Sequence, residues 1–141
     1  MKGIYQRLSI PEGRCVIICC MNAELDPNTV HIVNDTDSLS ECINALKNAG
    51  EVAVDTESDS LFVYYEKVCL IQISADGQSY VIDPLETGDL SALNDIFSRG
   101  DILKIFHAAE YDIMCLKRDF GFSFENLFDT MIAARMLGKN E

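Results

Sequence analysis

The sequence is poor in basic residues and has no long apolar run. Its 141 residues include 11 lysines and arginines against 23 aspartates and glutamates, a formal net charge of −12 at pH 7. A basic patch is the usual electrostatic signature of a nucleic-acid-binding protein, so this composition at first argues against a partner made of phosphate. The early apolar run Cys15 to Met21 has only seven residues, far too few to span a bilayer. The composition therefore predicts no transmembrane helix.

Cysteine is present, but not in a pattern typical of a zinc site or a disulfide framework. None of the six cysteines belongs to a C-x-x-C pair, and several lie inside apolar runs. Such cysteines are usually small buried hydrophobic residues. The first residues also fit a secretory signal poorly, because Glu12 falls where a basic leader is needed. These features predict a reducing, cytoplasmic location and no membrane partner.

The chain has the length and hydrophobicity of one globular domain. With 48% hydrophobic residues it can bury a real core, which excludes disorder, collagen-like repeats and a bare linker. The one shift in composition lies around the turn signal Asp26-Pro27-Asn28. We therefore predict an N-terminal appendage of unknown role at residues 1–29 and a folded domain at residues 30–141.

Hydrophobic periodicity predicts a short strand and a helix, then three strands, then alternating helices and strands. The predicted strands are His31–Val33, Val52–Val54, Val68–Ile73, Tyr80–Ile82, Ile102–Phe106 and Leu127–Phe128. The first predicted helix follows Asp35 and is stopped by Gly50, and the second covers Leu90–Phe97. Two more run from about Ala108 to Phe120, with Gly121 as the stop, and from Thr130 to Leu137, with Gly138 as the stop. A turn at Asp76-Gly77 favours an antiparallel meander of the three middle strands. The predicted fold class is an α/β domain with a mixed sheet, three antiparallel strands followed by parallel strands, flanked by helices.

The most informative segment is an apolar strand that ends in two carboxylates. Asp55 and Glu57 follow Val52-Ala53-Val54 at positions i and i+2, a spacing that puts both side chains on one face of a strand. Two acids held close together repel each other unless a cation lies between them, and a divalent metal ion is the commonest remedy. The alternative is a solvated strand end followed by a polar loop.

A calcium-binding loop is a second metal interpretation of the same segment. Four acids fall at positions 1, 3, 5 and 12 of an EF-hand-like loop: Asp55, Glu57, Asp59 and Glu66. However, Ser60 occupies position 6, where the sharp turn needs glycine, and a β run precedes the loop where an EF-hand needs a helix. The strand interpretation is therefore favoured.

A second group of polar residues follows the predicted strand that ends at position 106. His107 comes directly after this strand, and Asp112 lies in the first turns of the next helix. A carboxylate there could complete a site begun by Asp55 and Glu57. The alternative for Asp112 is an exposed helix acid that pairs with Arg118 or Lys117. The alternative for His107 is a structural histidine, hydrogen-bonded at the strand end. Asp129 is most simply the N-cap of the last helix.

These segments form an ordered series of motifs along most of the chain. The series is Val52–Glu57, Tyr64-Tyr65, Leu70–Ile73, Ile82–Leu85, Lys104–Ala108 with Asp112, and Phe128-Asp129-Thr130. In this order the motifs resemble the ribonuclease D family of 3′-5′ exonucleases, whose catalytic domain uses four acidic residues. The resemblance implies a ribonuclease H-like fold, two divalent ions (Mg²⁺ or Mn²⁺) and hydrolysis of RNA from its 3′ end by a two-metal-ion mechanism. Structured RNAs such as tRNA precursors are implied substrates.

The resemblance also implies roles for individual residues. Asp55 and Glu57 match the first acidic motif and Asp112 matches the acid of the second, so all three are implied catalytic residues and metal ligands. Four further residues are candidate contacts to the last nucleotides, although leucine and aromatic side chains here are as easily core residues: Leu61, Phe62, Tyr65 and His107. Because three of the acids would bind cations, the net charge of −12 does not exclude a phosphate partner.

One expected motif of the family is missing from the sequence. In the family, the fourth aspartate and the tyrosine that precedes it lie downstream of the second motif. In this chain, no Y-x-x-x-D follows Asp129 before the last residues, Lys139-Asn140-Glu141. We therefore expect residues 30–141 to be the N-terminal portion of an exonuclease domain, incomplete on its C-terminal side. A non-catalytic, exonuclease-like interaction module is the alternative function.

Overall fold

A two-stranded hairpin precedes a larger mixed sheet in the computed structural model of the protein, which describes residues 4–9, 15–20, 27–59 and 66–139. In the hairpin, β1 (Ile4–Ser9) pairs antiparallel with β2 (Cys15–Cys20). A 3-10 helix, Pro27–Thr29, leads into the larger sheet. The hairpin lies within the predicted appendage, and the boundary at residue 29 stays a prediction.

The described part of the chain forms six further strands and five α-helices. The strands are β3 (Val30–Val33), β4 (Glu51–Ser58), β5 (Val68–Ala75), β6 (Gln78–Ile82), β7 (Leu103–Phe106) and β8 (Leu127–Asp129). The helices are α1 (Thr36–Leu46), α2 (Pro84–Thr87), α3 (Ser91–Phe97), α4 (Glu110–Phe120) and α5 (Thr130–Met136). The strand order is β3-β6-β5-β4-β7-β8; β4, β5 and β6 are antiparallel neighbours and the other pairings are parallel. The predicted α/β class and mixed sheet are confirmed.

The meander forms because its turn and its strand ends have the residues they need. Asp76 and Gly77 both have positive φ angles, 50° and 75°, as a type I′ hairpin turn requires. Strand β6 then ends at Ile82. The side chain of Asp83, the next residue, accepts two backbone N–H groups of α2, and Pro84 occupies the first turn of that helix. The sequence prediction places only a strand end here, so α2 is an addition to it.

Helix α1 ends earlier than predicted. Asp35 caps its N-terminus as expected, but the last helical residue is Leu46 rather than a residue next to Gly50. Lys47 closes the helix with an ordinary helical φ of −58°, so no left-handed residue is needed. The carbonyl of Gly50 instead accepts the N–H of Leu103 and thereby joins the start of β4 to β7.

One face of the larger sheet packs against helices α1, α3 and α4. The buried cluster between them contains, among others, Val52, Val54, Ile71, Ile73, Ile82 and Phe106 from the strands and Leu39, Cys42, Leu46, Leu93, Ile96, Phe97, Cys115 and Leu116 from the helices. Along β4 the burial alternates, with Val54 buried and Ala53 exposed. This alternation puts Ala53, Asp55 and Glu57 on the opposite face.

A lysine is fully buried within β7. Lys104 has no exposed surface, and its ammonium group donates hydrogen bonds to the carbonyls of Arg99 and Ile102. Burial lowers the pKa of Lys104. The cation therefore ties β7 to the segment that follows α3, a role that its position inside an apolar strand pattern does not reveal.

The cysteine side chains that the structure describes are mostly buried. Cys42 and Cys115 have no exposed surface, whereas Cys69 is half-buried. Burial raises the pKa of the Cys42 thiol to about 12, so it behaves as an apolar residue. The predicted role as small hydrophobic residues is confirmed for Cys42 and Cys115, and the other three side chains lie outside the described residues. In the described part of the chain, no helix is long and apolar enough to cross a membrane.

Candidate acidic site

Three carboxylates lie near one another where β4 approaches the start of α4. Asp55 and Glu57 share one face of β4, as the period of two predicted. Asp112 lies in the first turn of α4 and is only 8% exposed. Asp55 is half-buried and Glu57 is exposed. The three acids that the sequence pattern singled out are thus within electrostatic reach of one another.

Burial raises the pKa of all three acids, and repulsion by the other acids adds to this rise for Glu57 and Asp112. Burial is the largest cause for Asp55, although a backbone N–H at Thr56 and the nearby His107 ring act in the opposite direction. Burial also raises the pKa of Glu57, and the charges of Asp55 and Asp112 raise it further. For Asp112, burial and the charge of Asp55 outweigh the hydroxyl of Thr56, which lowers the pKa. The cluster therefore carries negative charge at a cost in free energy that a bound cation would relieve.

Thr56 connects the two elements that carry these acids. Its hydroxyl on β4 donates a hydrogen bond to Oδ1 of Asp112 on α4. The exposed alternative for Asp112 is therefore wrong: it is buried and bonded, and Arg118 instead pairs with Glu66 and Asp119. The sequence analysis treated Thr56 only as the spacer between two acids.

Replacing Thr56 by valine should destabilise the protein by about 1.5 kcal/mol, because a buried carboxylate loses its hydroxyl donor while the side-chain shape is kept. Thermal unfolding of Thr56→Val and of Thr56→Ser, which retains the hydroxyl, measures this loss. In an Asp112→Ala background, which removes the acceptor, the difference between the valine and serine variants should shrink. An equal difference in both backgrounds would mean that the bond to Asp112 does not stabilise the fold.

The described residues do not form an EF-hand at this position. Strand β4 continues to Ser58, so the segment that enters the proposed loop is a strand rather than a helix. The carboxylate of Glu66 accepts hydrogen bonds from Tyr111 and, at 3.0 Å, from Arg118 on α4. These two donors hold the pKa of Glu66 below its usual value. Glu66 is thus engaged by α4, which overturns the calcium-loop alternative.

His107 is exposed and hydrogen-bonded at the end of β7. Its Nδ1 lies 2.9 Å from the hydroxyl of Thr130, which also donates to the carbonyl of Phe106. This is the arrangement expected of a structural histidine at a strand end. A contact with substrate stays a prediction for His107. The other predicted substrate contacts lie outside the described residues: Leu61, Phe62 and Tyr65.

Asp129 caps α5 as predicted, through the N–H groups of Met131 and Ile132. It also accepts the N–H groups of Ala108 and Ala109, just before α4. Burial tends to raise its pKa, but the four N–H donors outweigh burial and lower it. The bonds to the segment before α4 are absent from the sequence prediction, since nothing local marks a contact about twenty residues away.

The three acids fit a divalent metal ion by their chemistry. Carboxylate oxygens are the ligands that Mg²⁺ and Mn²⁺ prefer, and the raised pKa of each acid indicates a site short of positive charge. Among the residues that the structure describes, however, no three His, Cys, Asp or Glu side chains converge closely enough to hold an ion. The donor set is therefore suitable, although its side chains are not drawn together here.

The mixed sheet and the carboxylates on β4 agree with a known protein family. A family model described as 3′-5′ exonuclease matches residues 30–141. The chain belongs to this 3′-5′ exonuclease family.

Within the family the chain is similar to ribonuclease D and to an exosome exonuclease. It is 39% identical over 107 residues to the exosome complex exonuclease RRP6 of Saccharomyces cerevisiae, covering 75% of this chain and 15% of the relative. It is 38% identical over 112 residues to ribonuclease D of Zymomonas mobilis, covering 78% of this chain and 29% of the relative. The crystal structure of Escherichia coli RNase D, described as an exoribonuclease involved in structured RNA processing, superposes with a TM-score of 0.73 and 30% identity, covering 79% of this chain and 30% of that one.

The chain thus spans less than a third of the length of each of these proteins. The resemblance to the ribonuclease D family, inferred from the order of the motifs, is confirmed.

Proposed function

We propose that this chain carries the acidic centre of a 3′-5′ exoribonuclease, which hydrolyses phosphodiester bonds from the 3′ end of RNA. The observation that supports this most is the electrostatic coupling of Asp55, Glu57 and Asp112 beside β4. Membership of a 3′-5′ exonuclease family supports the reaction, and relatives named as exonuclease and ribonuclease D support RNA as the substrate.

Asp55, Glu57 and Asp112 would hold two divalent ions, Mg²⁺ or Mn²⁺. Exonucleases of this kind generally use divalent metal ions, which lower the pKa of the attacking water and stabilise charge on the leaving oxygen. Thr56 fixes one oxygen of Asp112 by its hydrogen bond. We propose that Glu57, the most exposed of the three acids, orients an attacking water.

The substrate contacts must come mainly from neutral groups, because the chain has a net charge of −12 and repels phosphate away from the ions. We propose stacking or wedge contacts to the last nucleotides by Leu61, Phe62 and Tyr65, with His107 beside the acids. We also propose structured RNA, such as a tRNA precursor, as the substrate, and a reducing cytoplasmic location, which the free buried Cys42 supports.

A 5′-labelled RNA incubated with the protein and Mg²⁺ tests the reaction. We expect stepwise shortening from the 3′ end, which stops when EDTA is added. The same RNA with a 3′-phosphate and the Asp55→Asn variant are the matched controls. Absence of shortening would contradict the proposal for this chain, and shortening that survives Asp55→Asn would show a contaminating nuclease.

A non-catalytic, exonuclease-like interaction module is the second candidate function. It is favoured by one observation: in the described part of the chain the acids do not converge into a site with three ligands. A calorimetric titration with Mg²⁺ separates the two functions. An intact fold without measurable Mg²⁺ binding supports the interaction module, whereas saturable binding that requires Asp55 supports the enzyme.

A further inference from the structure

We propose that Asp129 is a positioning residue for the acidic site, because it clamps the start of α4, which carries Asp112, to the start of α5. The inference rests on the proposed function and extends it to a residue outside the three acids. It also gives a physical role to the motif Phe128-Asp129-Thr130, which the proposed reaction does not use.

The clamp consists of four hydrogen bonds to one carboxylate. Oδ2 of Asp129 accepts the N–H of Ala109 at 2.8 Å. Oδ1 accepts the N–H groups of Met131 at 2.8 Å, Ile132 at 3.2 Å and Ala108 at 3.2 Å. One oxygen therefore serves mainly α5, and the other serves only the segment before α4.

The segment that Asp129 holds is short and has an unusual conformation. Only three residues, 107 to 109, separate β7 from α4, and Ala108 has a φ of 58°, which a residue with a Cβ rarely adopts. Such a conformation costs free energy and persists only when the surrounding structure enforces it. The two N–H bonds from this segment to Asp129 supply that enforcement.

The position of Asp112 follows from this segment. Helix α4 begins immediately after Ala109, and the N–H of Ile113 bonds the carbonyl of Ala109 as part of its first turn. A helix is stiff over one turn, so a shift of Ala109 moves Asp112 with it. The hydrogen bond from Thr56 then holds Asp112 on the side of β4. Asp112 is thus fixed from two sides, by β4 and by Asp129.

The variant Asp129→Asn distinguishes the positioning of α4 from simple capping of α5. Asparagine caps helices about as well as aspartate, and its one carbonyl oxygen can take the place of Oδ1 toward α5. Its amide NH₂ would then face the N–H of Ala109, where two donors cannot bond. Asp129→Asn should therefore keep α5 capped and lose the bond to Ala109, the residue directly before α4.

The test uses Mn²⁺ alone as the probe, titrated into the metal-free protein and followed by electron paramagnetic resonance. We expect Asp129→Asn to weaken Mn²⁺ binding about 10-fold, the usual size of an effect transmitted to ligands by their supporting groups. Asp35→Asn is the matched control, because Asp35 also caps a helix that follows a strand. That strand is β3, which β6 and β5 separate from β4. The Mn²⁺ affinity of Asp35→Asn should stay within about twofold of the wild-type affinity. Equal affinities for wild type and Asp129→Asn would overturn the proposal.

A second measurement does not depend on the metal. The side-chain carboxyl ¹³C resonance of Asp112, assigned with Asp112→Asn, should shift in Asp129→Asn and not in Asp35→Asn, and the amide of Ala109 should exchange faster with solvent. If the wild type binds no Mn²⁺, the proposed function fails, and this measurement alone decides the clamp. An unchanged Asp112 resonance would then refute it.

Discussion

Replacing Asp55 by asparagine should abolish exonuclease activity. The substitution removes the negative charge of a proposed metal ligand and with it the charge stabilisation that bound ions would supply. That stabilisation is worth several kcal/mol, so the rate should fall at least about 1,000-fold. The release of mononucleotides from RNA under saturating Mg²⁺ measures it. Asp95→Asn, a change of an exposed aspartate on α3, is the control and should keep the wild-type rate.

The same substitution should stabilise the metal-free protein. Burial raises the pKa of Asp55 in the folded state, so the folded protein binds its proton more tightly than the unfolded chain does. The stability due to this group is therefore complete below the unfolded pKa and is lost as the pH rises through the folded pKa. At pH 7 the charged carboxylate is unfavourable, and Asp55→Asn should raise stability by on the order of 1 kcal/mol, or about 2–4 °C in Tm.

Thermal unfolding with EDTA at two pH values checks this sign. The gain in Tm should be present at pH 7 and should shrink at acidic pH, as the wild-type carboxyl group takes up its proton. A lower Tm for Asp55→Asn at pH 7 would show that the carboxylate is stabilised by the metal-free fold, contrary to a site built for a cation.

Replacing Phe97 by alanine should have the largest effect on stability. Phe97 is fully buried at the end of α3, and its ring lies 5.4 Å from that of Phe122 and 5.1 Å from that of Phe124. Removing a buried phenylalanine leaves a cavity that the surrounding side chains fill only in part. The expected cost is about 3–5 kcal/mol, a fall in Tm of roughly 10 °C.

Phe128→Ala is the matched control for this measurement, because Phe128 on β8 is 45% exposed. Its cost should stay within about 1 kcal/mol. Urea unfolding at equilibrium compares the two variants. Similar losses in both variants would place the main core elsewhere than between α3 and the sheet.

The local part of the acidic site could be predicted from the sequence. Asp55 and Glu57 follow an apolar strand at a spacing of two, and the period of a strand alone puts them on one face. Their contact with α4 depends on how distant segments pack. Thr56 and Asp112 are 56 residues apart, and no spacing rule connects them. The order of family motifs suggested that Asp112 belongs to the site, but not which group holds it.

The ends of the helices could also be predicted only in part from the sequence. Gly121 has a φ of 69° and ends α4 as predicted, because its N–H continues the bonding of the helix in a left-handed conformation. Gly50 was predicted to end α1 by the same rule, yet α1 closes without a left-handed residue. The pairing of β4 with β7 takes the carbonyl of Gly50. Tertiary pairing thus decides which of two similar glycines acts as a helix stop.

The hydrogen-bond partners of polar side chains were the feature that the sequence predicted least. Lys104 lies within a predicted buried strand, and its acceptors are carbonyls of Arg99 and Ile102, which only the folded connection from α3 to β7 brings to the ammonium group. From its neighbours in the sequence, Asp129 is predicted only as a helix cap. In the structure, half of its hydrogen bonds go to the segment before α4. Lys104 obeys the rule that buried polar groups find partners, but the sequence does not say which partners either residue has.

The central claim is that Asp55, Glu57 and Asp112 form one site for divalent ions, and Mn²⁺ binding to the metal-free protein at pH 7.5 tests it most directly. We expect saturable binding with a Kd below about 1 mM. We also expect losses of about 10-fold or more in Asp55→Asn, Glu57→Gln and Asp112→Asn, and no change in Asp95→Asn. Binding that is absent from the wild type, or that persists unchanged in all three site variants, would contradict the claim.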